Sequence, residues 1–155
     1  MKAPEIVVIG IGSSHGDDCA GWRIVDALRE QVPATVQLRK ARSPIELIDA
    51  LDEAQQVYLV DAAVGLASWD RLPAGQLTAE RLDSYSRKGT HGFAVGDALK
   101  LAHSLGCRTD HVTVWLVRGE TFAPLAEPSE SSIAAMKACT KTLVKELNHA
   151  RTLTR

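Results

Sequence analysis

Four side chains in this sequence have the types and positions that divalent-metal or acid–base chemistry would need. Asp17 and Asp18 follow the first apolar run of the chain, Asp61 ends a later apolar run, and His91 stands between two glycines. Together Asp18, Asp61 and His91 would form an incomplete ligand set for a divalent metal, with coordination positions left open. Taken singly, each has a simpler interpretation: the acids as helix caps or turn formers and the histidine as a surface residue. Spacing alone leaves both interpretations open.

Strand and helix patterns alternate along the chain, so these residues fall into a recognisable framework. Alternation of this kind predicts right-handed crossovers and an α/β fold, specifically a three-layer α/β/α sandwich around a mostly parallel, twisted sheet of about five strands. Ligands collect at the carboxyl ends of strands in such sheets, so Asp18 and Asp61 are expected to face the same edge. We predict strands over 5–12, 36–40, 57–61, 75–78 and 112–117, and helices over about 18–32, from 43, over 91–105 and from 129.

Some details of these elements are also predicted. A helix opened by the sequence Ser43-Pro44-Ile45-Glu46 has the residues of a capping box, and Ile45 is expected on its buried face. The helix over 91–105 is expected to bury Leu105 and to stop at Gly106. Residues 67–90, rich in proline, glycine and charge, are expected to form an exposed, mobile excursion around one short strand.

Length and composition limit the classes of function. The 155 residues suit a single domain spanning 1–155, and 45% hydrophobic with 24% charged residues is typical of a soluble globular protein. A net charge of −1 gives no basic surplus for nucleic acid or a membrane surface. Three cysteines without a C-x-x-C pair do not indicate a disulfide or zinc framework. Since no run is long enough for a signal peptide or membrane span, we expect a reduced, cytoplasmic protein.

The glycine loop from Gly10 to Gly16 suggests a different function. It begins like a dinucleotide-binding turn, although its third glycine lies one residue too far along for G-x-G-x-x-G. Arg39, Lys40 and Arg42 would then hold the 2′-phosphate of NADP. Asp17 and Asp18 oppose this interpretation because their carboxylates would repel a pyrophosphate at the helix start. A nucleotide-binding module remains the alternative at this stage.

Residues 9–25, Ile-Gly-Ile-Gly-Ser-Ser-His-Gly-Asp-Asp-Cys-Ala-Gly-Trp-Arg-Ile-Val, resemble the N-terminal signature of the hydrogenase maturation endopeptidases. Further segments that resemble this family follow in the same order at 57–62, 73–77, 90–95 and 117–120, so the resemblance covers nearly the whole chain. It implies removal of a C-terminal extension from the precursor of a nickel–iron hydrogenase large subunit. Nickel already inserted in that precursor would be the recognition signal.

The resemblance also implies roles for particular residues. Asp18, Asp61 and His91 match the family's nickel-binding positions, so we expect a nickel-directed, aspartate-type endopeptidase whose nickel comes with the substrate. Asp17 is the candidate base, and a monomer is expected. The stretches Ser13-Ser14-His15 and Arg42-Ser43-Pro44 depart from the family pattern. They indicate either an altered substrate or a non-catalytic protein that keeps only the nickel-binding cleft.

Overall fold

A computed structural model describes residues 5–73 and 95–153, and its strands and helices alternate as the sequence predicts. The described strands are β1 (Ile6–Ile11), β2 (Val36–Ala41), β3 (Gln56–Ala63), β4 (Trp69–Leu72) and β5 (Val112–Arg118). The described helices are α1 (Ala20–Leu28), α2 (Leu47–Glu53), α3 (Val95–Ser104) and α4 (Glu130–Leu153), with short 3-10 helices at Gly16–Cys19 and Pro44–Glu46.

The five strands form one sheet in the order β2-β1-β3-β5-β4. All neighbours are parallel except β4, which runs antiparallel to β5 along the edge. Alternate side chains of the central strands pack into two separate cores, one on each face of the sheet. One core also contains side chains from α1 and α4, and the other contains side chains from α2 and α3. The predicted α/β fold, a three-layer sandwich around a mostly parallel sheet, is therefore confirmed.

Strand β4 is the element that the sequence prediction missed, because its residues were assigned to an exposed excursion. Its middle residues are charged, so no apolar alternation marks it. Its ends are held by the core: Leu72 is fully buried, and the Trp69 ring stacks on Trp115 with centroids 5.4 Å apart. Tertiary packing thus creates a strand that local pattern does not reveal. The strand predicted over 75–78 lies outside the described residues.

Two residues predicted to be buried are exposed. Ile45 is 51% exposed because it belongs to the 3-10 turn that precedes α2, and Leu105 is 63% exposed because α3 has ended at Ser104. The predicted stop at Gly106 is confirmed by its φ of +81°. Half of the predicted capping box forms: the Glu46 carboxylate accepts the backbone N–H of Ser43 at 3.1 Å, but the Ser43 hydroxyl accepts the N–H of Ile45 at 3.4 Å and not that of Glu46. None of the described helices has the length and hydropathy needed to cross a membrane.

Candidate active site

The loop after β1 is closed by two tight backbone approaches. At Gly12 a Cβ atom would lie 2.1 Å from the carbonyl oxygen of Asp18, so the loop turns back on itself only with glycine there. At Gly21, in the first turn of α1, a Cβ atom would lie 2.6 Å from carbonyl oxygens of β1 and β3. The start of α1 therefore rests directly on the carboxyl ends of the two central strands. These contacts fix the position of the 3-10 helix that carries both acids.

Asp18 lies in this 3-10 helix with only 5% of its surface exposed. The helix contacts β3, the strand that carries the second predicted ligand. Ser13 Oγ donates a hydrogen bond of 2.6 Å to Asp18 Oδ2. A buried carboxylate loses hydrogen bonds to water, so this bond replaces one of them and also fixes the direction of the carboxylate. This positioning role of Ser13 is not predicted from the sequence.

Asp61 lies near the carboxyl end of β3, in register with Leu116 of β5. It is half-buried, and its Oδ1 accepts the backbone N–H of Ala62 at 2.8 Å. Its neighbours on the same face of β3, Leu59 and Ala63, pack in the core formed with α2 and α3. The structure thus places both acids at the same edge of the sheet: Asp61 lies near the end of β3, and Asp18 lies in the 3-10 helix that follows the neighbouring strand β1.

His91 lies outside the described residues, so its predicted place in the ligand set stays a prediction. Helix α3 begins at Val95, four positions later in the sequence, and packs on the face of the sheet to which Asp61 belongs. Within residues 5–73 and 95–153, no three His, Cys, Asp or Glu side chains are grouped as metal ligands. Asp18 and Asp61 belong to these residues, whereas His91, the third member of the predicted set, does not.

Asp17 has a different environment from Asp18. It is fully buried, and its Oδ2 accepts the backbone N–H groups of Glu120 at 2.7 Å and Thr121 at 3.0 Å and the Ser129 hydroxyl at 2.7 Å. Its Oδ1 accepts the backbone N–H of Ser129 at 2.6 Å. Burial alone would raise the pKa of Asp17, but these hydrogen bonds outweigh it and hold the pKa below its ordinary value.

These bonds tie the loop after β1 to the start of α4. Ser129 caps α4, since its hydroxyl accepts the backbone N–H of Ser132 at 3.3 Å. Asp17 therefore fixes the first loop against the segment that follows β5. A base must reach its substrate's proton, and a carboxylate with four protein donors is poorly placed for that. The role of Asp17 as a base stays a prediction, and its contacts favour a positioning role.

A second contact joins the same two segments. The backbone N–H of Leu125 donates to His15 Nδ1 at 3.2 Å, so His15 belongs to this edge of the sheet. Leu125 is 87% exposed and has a φ of +61°, a left-handed conformation that costs a leucine about 1–2 kcal/mol. Two residues of the stretch that departs from the family pattern thus have defined partners. Ser13 contacts Asp18, and His15 contacts the loop after β5.

The basic residues of the nucleotide alternative are occupied by protein contacts. Arg39 forms a salt bridge to Glu53 at 2.5 Å, and Lys40 forms one to Asp26 at 2.8 Å. The Arg42 guanidinium lies 5.8 Å from the centre of the Trp22 ring. The buried acids at the helix start add the repulsion that the sequence predicted. These contacts do not favour the nucleotide alternative.

Comparison with solved structures identifies the fold. No family model and no curated protein match the sequence. The chain is similar to the hydrogenase-maturating endopeptidase HybD from E. coli (20% identity, 94% of this chain, 93% of that chain, TM-score 0.70). It is also similar to the [NiFe] hydrogenase maturation protease HycI from Thermococcus kodakarensis (18% identity, 94% of this chain, 93% of that chain, TM-score 0.69). A third similar structure is the hydrogenase 2 maturation peptidase from a Thaumarchaeota archaeon (26% identity, 92% of this chain, 97% of that chain, TM-score 0.62). The fold agrees with the resemblance seen in the sequence, and the chain shares the fold of the hydrogenase maturation endopeptidases over more than nine-tenths of its length.

Proposed function

We propose that this protein is an endopeptidase that removes the C-terminal extension of a nickel-loaded hydrogenase large-subunit precursor. The observation that carries the proposal is that Asp18, in the 3-10 helix after β1, and Asp61, near the end of the adjacent strand β3, lie at one edge of the sheet. This fold is shared over more than nine-tenths of the chain with hydrogenase maturation proteases. The proposed protein is a cytoplasmic monomer, and its partner is the precursor itself.

Nickel is part of the substrate in this proposal. It arrives bound to the precursor, and Asp18, Asp61 and His91 supply the oxygen and nitrogen ligands that would complete its coordination. Affinity of the free protein for nickel is expected to be modest, because three ligands leave the site incomplete. Recognition of the loaded precursor then follows from ligand exchange at this edge of the sheet.

The chain's own residues hold this site in place. Ser13 fixes one oxygen of Asp18, and Asp17 fixes the loop that carries both. Hydrolysis adds a water oxygen to the scissile carbonyl carbon, breaks the C–N bond and delivers a proton to the leaving amine. A carboxylate at this edge would take the proton from the attacking water. The half-buried Asp61 suits that role better than Asp17, which is fully buried and already accepts four hydrogen bonds.

The test is intact-mass spectrometry of a nickel-loaded precursor after incubation with the protein. Loss of a C-terminal peptide is expected with the unmodified chain and not with Asp61→Asn or His91→Ala. The matched control is Asp49→Asn, which makes the same change at an exposed position on α2 and should process normally.

Two further results would decide against the proposal. Equal cleavage of nickel-free precursor would remove nickel as the recognition signal. Stable capture of the nickel-loaded precursor without any cleavage would instead support a non-catalytic protein that keeps the nickel-binding cleft.

A further inference from the structure

A groove of about 510 Å³ lies between α1 and α4, outside the candidate active site. Its apolar lining comes from both helices and includes Ile24, Met136 and Val144. Ile24 and Met136 are also part of the core between these helices and the sheet. The groove therefore has a rigid apolar floor rather than a floor made of loops.

Four cationic side chains surround this floor. Arg23 comes from α1, and Lys137, Lys141 and Lys145 follow one another at four-residue intervals along α4. Residues with this spacing lie on one face of a helix, so the three ammonium groups repel each other. All four side chains are exposed, and none forms a salt bridge with an acid in the described part of the chain.

Within residues 5–73 and 95–153, the lining of the groove includes no acidic residue to balance this charge. Two acids next to lining residues in the sequence are engaged by other cations: Asp26 of α1 bonds to Lys40 at 2.8 Å, and Glu146 of α4 bonds to Arg71 at 2.8 Å. A third, Glu30, is exposed beside Gln31. The chain as a whole has a net charge of −1, so the positive rim is a local feature and not a consequence of a basic protein.

We propose that this groove binds an acidic amphipathic helix of a partner protein. An apolar stripe on that helix would pack on the floor, as helices do in grooves between two helices, and its carboxylates would pair with the lysine row and Arg23. Charge complementarity selects the occupant, because a helix with basic borders would meet four like charges. The proposal concerns a surface outside the catalytic candidates and does not depend on the proposed peptidase activity.

The test measures binding of a fluorescent synthetic helix by anisotropy. The probe carries leucines along one face and glutamates along both borders of that face, and a second probe has lysines in place of the glutamates. We expect saturable binding of the acidic probe only, with affinity that falls as salt is raised. Lys141→Glu should weaken binding roughly tenfold or more, because it replaces an attraction by a repulsion. Lys100→Glu, an equal charge change at an exposed site on α3, should have no effect.

A second variant tests the apolar floor without disturbing the core. Ala27 lines the groove and is exposed, so Ala27→Trp should fill the groove, leave the circular dichroism spectrum unchanged and abolish probe binding. Equal binding of the two probes, or full binding to both groove variants, would overturn the proposal. So would dimerisation of the unmodified chain that Lys141→Glu abolishes, or binding to phosphatidylglycerol vesicles in place of the acidic probe, since these outcomes assign the groove to a second copy or to a membrane.

Discussion

Replacing Asp17 by asparagine tests how the two segments at the candidate site are held together. In the native protein Oδ2 accepts three hydrogen bonds, from Glu120, Thr121 and the Ser129 hydroxyl, and Oδ1 accepts one from the Ser129 backbone. Asparagine has one acceptor oxygen. If that oxygen takes the place of Oδ2, the amide NH₂ faces the Ser129 N–H, and two donors meet in a site without water.

The cost of this change can be worked from the contacts. A buried N–H left without an acceptor costs about 1–3 kcal/mol. The three bonds that remain lose the charge that made them roughly twice as strong as neutral bonds. We therefore expect Asp17→Asn to lower the free energy of unfolding by about 2–4 kcal/mol.

The pH dependence follows from the lowered pKa of Asp17. The folded carboxyl binds its proton at lower pH than the unfolded one, whose pKa lies near 3.8. Its contribution to stability is therefore fully present above the unfolded pKa and is lost as the pH falls through the lower folded pKa. In Asp17→Asn this carboxyl group is absent, so its contribution to the loss of stability in acid is absent too. The difference in the free energy of unfolding between the native protein and the variant should therefore shrink below about pH 4.

Urea unfolding, monitored by tryptophan fluorescence at several pH values, measures both the loss of stability and its pH dependence. The signal is suitable because Trp115 is fully buried in the folded chain. Asp49→Asn, on the exposed surface of α2, is the control and should change stability by less than about 0.5 kcal/mol. An Asp17→Asn protein as stable as this control at neutral pH would refute the assigned hydrogen bonds.

Three further predictions use the same reasoning. Gly21→Ala should lower stability by about 1–3 kcal/mol or prevent folding, because its methyl group would overlap backbone carbonyls, and an unchanged urea midpoint would contradict that contact. Leu125→Asn should raise stability by about 1 kcal/mol, since asparagine tolerates the left-handed φ of +61°, and a lower midpoint would contradict it. Burial raises the pKa of Cys139 to about 12, so iodoacetamide should modify the half-buried Cys107 first; peptide mapping that shows equal rates would contradict this burial.

The main elements of the fold could be predicted because the residue pattern of each segment determines them. Strands β1, β3 and β5 are mainly apolar runs buried on both faces, and β1 and β5 are rich in β-branched residues, which is the pattern of central parallel strands. β4 could not be predicted, since its pairing with β5 and the Trp69–Trp115 stack depend on tertiary contacts. Helix ends were similarly uncertain, as the exposure of Ile45 and Leu105 shows.

The candidate site was predictable only in part. The rule that parallel strands present their carboxyl ends at one edge is enough to predict that Asp18 and Asp61 lie at the same edge of the sheet. The partners of Asp17 lie 103 to 112 positions later in the chain, so no local pattern indicates them. Ser13 carried a weak signal, a hydroxyl five positions before an acid inside a glycine-closed turn, but its bond to Asp18 required the folded loop.

The most direct test of the proposed function compares the unmodified protein with Asp18→Ala on the same nickel-loaded large-subunit precursor. Intact-mass spectrometry should show loss of a C-terminal peptide with the unmodified chain and an unchanged precursor with the variant, while urea unfolding confirms that the variant is folded. Complete processing by a folded Asp18→Ala protein would contradict the assignment of Asp18 to the working site.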